Sequence, residues 1–138
     1  MAGSRVFIDS SAFIALFNRH DQHHGAAKKM FRPLSGAAHL ATSDYVLDEV
    51  VTFLNARIGH DVAVRAAQAL LHSDRVSMIV VTRDVIDRAQ QRFAACAIPR
   101  ISFTDITTSI IVDLHHIDRI FTFDGHFAEL GHAMVGKE

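Results

Sequence analysis

Cysteine is almost missing from this 138-residue chain. Cys96 stands alone, which excludes an intramolecular disulfide framework. Proline occurs only twice, and no stretch rich in Pro, Gly or Ser interrupts the sequence. A linker between domains has nowhere to sit, so a single domain over residues 1–138 is expected. No apolar run approaches the ~20 residues that span a bilayer, and the opening MAGSRVFIDS lacks the apolar segment of a signal peptide. A cytoplasmic protein with no membrane partner fits. Positive charge is not in excess either. Fourteen Lys and Arg face 15 Asp and Glu, a net of −1, so composition carries no nucleic-acid footprint.

What is present is apolar surface in short, punctuated runs. The chain is 49% hydrophobic and 21% charged, as a globular protein should be. RVFID (5–9), HLATS (39–43), VSMIVV (76–81), RIFTF (119–123) and HAMV (132–135) read as strands. Between them the spacing predicts helices. One opens at Ser10 as N-cap and runs through SSAFIALFN, and another covers 21–34. DYVLDEVVTFLNARI repeats Val46, Val50, Phe53 and Leu54 at helical spacing. DVAVRAAQALLHS, residues 83–96 after Thr82, and a stretch from about residue 103 complete the set, with a short helix after residue 124. Strands separated by helices imply an α/β fold with a parallel sheet covered on both faces.

In such folds sites form at the carboxyl ends of strands. Asp9 and Asp124 both stand at strand ends, hence on one edge of the sheet. Asp118 precedes its strand and belongs to the opposite edge. Asp105 opens the helix after RISF, where Ser102-Phe-Thr-Asp105 also has the form of a capping box. Asp113 lies eight residues further along, about 12 Å up the same helix, too far to share an ion with Asp105. Asp44 and Asp84 are explained as helix starts. Asp48 and Glu49 flank the apolar stripe centred on Val50 on opposite sides, and periodicity does not choose between them. Residues alone thus give an α/β domain with a two-carboxylate edge.

VFIDSSAFIALFN, TSDYVLDEVVTFL and SFTDITTSIIVDLHHIDRIFTFDGHF, in that order, resemble the motifs of PIN-domain ribonucleases. More narrowly they resemble the VapC-type toxins of bacterial toxin–antitoxin pairs. The resemblance spans nearly the whole chain. It implies a single PIN-like domain, an α/β/α sandwich around a mainly parallel sheet of about five strands. It carries the acidic positions onto Asp9, Glu49, Asp105 and Asp124, as catalytic residues and as ligands of Mg²⁺ or Mn²⁺. ITTSII departs from the family, where an Ala-rich run is common. The implied reaction is hydrolysis of an RNA phosphodiester, in tRNA or rRNA, leaving 5′-phosphate and 3′-hydroxyl ends. The implied partners are a small cognate antitoxin and a second copy of the chain in a homodimer.

Eleven of the fourteen cations are arginines, the side chain suited to phosphate. Arg19, Lys28, Lys29, Arg32 and Arg100 are the residues proposed to meet RNA. Ser10 and Thr122 adjoin acidic positions, with helix capping and strand packing as their simpler roles. Ten histidines raise the question of a transition-metal site, since His20 and His24 are four apart. No HExxH motif occurs, and surface or partly buried roles serve them better. The alternatives are a catalytically silent PIN-type RNA-binding scaffold and a haloacid-dehalogenase-like phosphatase. The phosphatase wants an acid where Ser11 stands. A receiver-like signalling domain would need an acidic pair that RVFID does not supply.

Overall fold

The computed structural model describes residues 3–137. Four short strands form the sheet: β1 (Arg5–Ile8), β2 (His39–Ser43), β3 (Val76–Ile79) and β4 (Arg119–Phe121). Seven helices accompany them among the described residues: α1 (Ser10–Phe17), α2 (His24–Ala37), α3 (Asp44–Arg57), α4 (His60–Leu71), α5 (Arg83–Ala95), α6 (Phe103–Leu114) and α7 (His126–Glu129). Among the described residues, no helix is long and apolar enough to cross a membrane.

All strand pairs are parallel and the order is β3-β2-β1-β4. Val6, Phe7 and Ile8 are each 0% exposed. Successive side chains of a strand point to opposite faces, so both faces of β1 are covered. The core runs continuously from these residues through Val46, Val50 and Leu54 of α3 to Ile106, Ile111 and Phe127. After β3 the chain returns to the other side of β1 to lay down β4. The strand order therefore switches between β1 and β4, where doubly wound sheets leave a crevice at their carboxyl ends.

Three details differ from the sequence reading. The fifth strand is reduced to one parallel bridge, Ile120 to Met134. Gly131 and Gly136, at φ of 89° and 83°, turn the chain in and out again, leaving room for no longer pairing. The N-cap of α1 is Asp9 rather than Ser10, which is already helical. The second helix starts at His24, because residues 18–23 turn on the side chains of Asn18 and Asp21, which accept from the amides of His20 and His23. His20 and His24 therefore share no helical face, and Nδ1 of His24 sits 2.7 Å from the Ala15 carbonyl.

The polar run in α6 is buried: Thr107, Thr108 and Ser109 are at most 1% exposed. Thr107 donates back to the Thr104 carbonyl at 2.7 Å. Ser109 accepts from Arg92 at 3.1 Å and lies 2.7 Å from Nε2 of His132. These bonds satisfy the Thr107 and Ser109 hydroxyls and tie α6 to α5 and to the chain after α7, while Oγ1 of Thr108 is buried without a partner.

Candidate active site

Asp9 follows β1 and Asp124 follows β4, so adjacent parallel strands deliver both to one edge. Ser102 caps α6 by accepting the Asp105 amide at 3.0 Å, which fixes Asp105 in the first turn. Capping and site geometry coincide here. Val50 is buried and Asp48 is exposed, leaving Glu49 half-buried on the side of α3 that faces α1. Glu49, Asp105 and Asp124 line one cleft of about 330 Å³, together with Ser10, Phe53 and Arg100. Asp9 lies beneath, 2% exposed, near enough for its charge to act on both Glu49 and Asp105. All four acids named from the sequence are thus brought together. Asp113 is not; it pairs with Arg92 at 3.2 Å. Asp118 accepts the Arg5 amide at 2.8 Å on the far edge.

The two oxygens of Asp9 have opposite fates. Oδ2 accepts from Thr122 Oγ1 at 2.8 Å, from Ser11 Oγ at 3.0 Å and from the Ser11 amide at 3.4 Å. Oδ1 is buried with no partner. The Ser11 hydroxyl also accepts the Phe123 amide at 2.9 Å, and Thr122 accepts the Asp124 amide at 3.0 Å. One hydroxyl pair therefore clamps Asp9 and shapes the turn that carries Asp124. In the sequence Thr122 merely adjoins an acidic position. Ser11 shows no role in the sequence, because beyond neighbouring Asp9 its partners Thr122 and Phe123 lie 111 and 112 residues away and leave no local signal.

Crowding these acids perturbs them. Asp105 is pushed up from 3.8 to about 7, first by burial and then by the charges of Asp9, Asp124 and Glu49. Burial also raises Glu49, offset in part by the Ser10 hydroxyl and raised further by the charges of Asp9 and Asp48. Asp9 is raised by burial against the opposing hydrogen bonds from Thr122, Ser11 and nearby amides. A bare cluster of this kind is costly, and a divalent cation is what removes the cost. The donor set fits one: hard carboxylate oxygens, with one oxygen of Asp9 anchored and the other buried and unpartnered.

His126, at the start of α7, was not singled out in the sequence. Its Nδ1 lies 3.3 Å from Oδ1 of Asp124 and 3.8 Å from Oδ2 of Asp105. Among the described residues, Asp105, Asp124 and His126 are the grouping whose ligand atoms all fall within 4.8 Å of one another. The ring of His23 stacks on Phe123 at 4.4 Å and walls the turn from the α2 side. Of the five cations proposed for RNA, Arg100 lines the acidic cleft and holds a left-handed φ of 64°. Lys28 and Arg32 border a different hollow beside Leu16 and Phe31, and Arg19 bonds His20 at 3.4 Å.

The profile of the PIN domain matches residues 6–133. Curated relatives include the 23S rRNA-specific endonuclease VapC20 of Mycobacterium tuberculosis, from two strains. Each is 35% identical over 133 residues, covering 96% of this chain and 99% of the relative. The crystal structure of M. tuberculosis VapC20, described as a sarcin–ricin loop cleaving toxin, superposes with a TM-score of 0.86 at 32% identity. That match covers 93% of this chain and 96% of the other. VapBC2 from Rickettsia felis, bound to a fragment of its promoter DNA, matches at TM-score 0.70 and 11% identity over 94% and 96%. At that identity only the fold is shared.

Proposed function

Since this chain belongs to the PIN-domain family and resembles its VapC toxins, we propose that it is a divalent-metal-dependent endoribonuclease. Its substrate is ribosomal RNA, in the manner of the 23S rRNA-specific relative, in preference to tRNA. The observation that carries this reading is the meeting of four carboxylates from β1, α3, α6 and β4 around an unpartnered Asp9 oxygen.

Asp9, Asp105 and Asp124 would hold the ion, with Glu49 completing the shell or orienting water. When bound, the ion activates a water molecule and offsets charge on the phosphoryl oxygens. The chain's own groups do the positioning. Thr122 and Ser11 hold one oxygen of Asp9 and leave the other without a partner. The nearby Ser10 and Thr104 hydroxyls favour the ionised form of Glu49, whose carboxylate would accept a hydrogen bond from the attacking water. In the hydrolysis the water oxygen bonds to phosphorus and the P–O3′ bond breaks. The 3′ oxygen takes up a proton, leaving 5′-phosphate and 3′-hydroxyl ends. Arg100 supplies positive charge at the rim, where the phosphate chain of an RNA would enter. The protein then works as a cytoplasmic toxin, a homodimer restrained by a small cognate antitoxin.

The test is cleavage of purified ribosomes and of deproteinised 23S rRNA with Mg²⁺ or Mn²⁺, read by sequencing 5′-phosphate ends. Wild type is expected to cut at one or a few sites. Asp9→Asn and Asp124→Asn, folded by circular dichroism, are expected to lose at least 10²-fold in rate. RNA binding without cutting would instead mark a silent scaffold and end the enzymatic reading.

A further inference from the structure

Beyond Oδ1 of Asp9 in the carboxylate cluster and Oγ1 of Thr108 inside α6, one more buried polar side-chain atom among the described residues lacks a partner: Nδ1 of His126. The backbone amide of His126 donates to Oδ1 of Asp124 at 2.9 Å, closing the turn into α7, and only 28% of the side chain is exposed. Leaving a buried nitrogen unpaired costs on the order of 1–3 kcal/mol, and such atoms call for a ligand or a strained role.

Its surroundings point to a ligand. Nδ1 stands 3.3 Å from Asp124 Oδ1 and 3.8 Å from Asp105 Oδ2. Atoms bound about 2.1 Å from one ion lie roughly 3 Å apart at right angles and about 4.2 Å apart when opposed. Both separations fall inside that range. A second unpartnered buried atom, Oδ1 of Asp9, belongs to the same cluster, on a residue only 2% exposed. An orphaned oxygen and an orphaned nitrogen around the same acids describe a mixed donor set.

We propose that His126 binds the metal directly through Nδ1, and that the site consequently favours first-row divalent ions such as Mn²⁺ over Mg²⁺. The proposal rests on the carboxylates being the metal site and adds what they alone would not decide. Mg²⁺ takes oxygen ligands and surrenders its water reluctantly. A neutral imidazole adds little to its binding, whereas nitrogen donors favour ions from Mn²⁺ onward in the first row. The tautomer follows as well: Nδ1 carries the lone pair and Nε2 carries the proton.

The test uses Mn²⁺ itself as probe. Electron spin-echo modulation of Mn²⁺ bound to the full chain is expected to show coupling to one imidazole nitrogen. That coupling is expected to vanish in His126→Asn and to persist in His23→Phe, which keeps the stack on Phe123. Titration calorimetry is expected to give tighter binding of Mn²⁺ than of Mg²⁺ by at least about tenfold. His126→Asn should weaken Mn²⁺ by about 10–100-fold and Mg²⁺ by less than about threefold. Mn²⁺ bound without nitrogen coupling, or coupling unchanged in His126→Asn, overturns the proposal. RNA cleavage by the wild type in Mg²⁺ is scored separately. Cleavage with no nitrogen coupling would sink the ligand and leave the nuclease, and coupling with no cleavage would do the reverse.

Discussion

Asp105→Asn is the substitution whose consequences the structure specifies most fully. The carboxyl is buried, 7% exposed, and its pKa rises from 3.8 to about 7 in the folded protein. The folded value lies above the unfolded one, so between these limits the native state holds a proton that the unfolded chain has lost. The corresponding stability is complete below the unfolded pKa and is lost as pH rises through the folded value. At about 1.4 kcal/mol per unit, the full shift is worth roughly 4 kcal/mol, an upper bound because Asp9, Glu49 and Asp124 titrate with it as a coupled set. Asparagine keeps the shape and cannot ionise. In EDTA, urea denaturation is expected to find the two proteins within about 1 kcal/mol near pH 4.5. At pH 8 the variant should be the more stable, by up to roughly 4 kcal/mol. The wild-type minus variant difference isolates Asp105 from His132, whose pKa is lowered by burial and whose contribution runs the other way. Metal at 100 times its Kd should restore about 2.7 kcal/mol to the wild type and much less to the variant. A difference flat between pH 4.5 and 8 would refute the claim that these acids meet at a cost.

Thr122→Val removes the 2.8 Å bond to Asp9 and the acceptor of the Asp124 amide without changing side-chain shape. Denaturation is expected to show a loss of about 1–3 kcal/mol, and calorimetry a metal affinity lower by about 10–100-fold; an unchanged affinity would mean the clamp is only structural. Arg100→Gly relieves a non-glycine residue at φ of 64°. Stability should rise by up to about 1 kcal/mol while RNA cleavage falls, a split that unfolding curves and end-mapping would read together. Leu54→Ala opens a cavity under α3, where the side chain is 0% exposed, and should cost about 2–5 kcal/mol in a denaturation titration.

The chemistry of the site depends on which local devices serve two purposes. Asp9 caps α1 with one oxygen and presents the other, and Asp105 sits in a capped first turn while being driven toward protonation by its neighbours. A helix start places a carboxylate reproducibly, because its backbone amides fix the rotamer. That economy explains why capping and metal binding compete as readings of the same residues, and why neither could be discarded from sequence.

The sequence by itself determined the order and type of the elements, because periodicity, caps and breakers act within a few residues. The apolar runs ending at Asp9 and Asp124 sufficed to put both on one edge of a parallel sheet. The family motifs then named Glu49 and Asp105. Other matters needed the tertiary structure. The helical pattern of α3 left Asp48 and Glu49 equivalent, and only the packing of α3 against α1 turns Glu49 into the cleft and Asp48 to water. The bracketing glycines cut the expected fifth strand to a single bridge at Met134. Ser11, Thr122 and His126 acquired their roles only when β4 was laid beside β1, more than a hundred residues away in the chain. Side chains whose work is to hold another side chain have partners set by the fold, and no local pattern of charge or hydrophobicity records them.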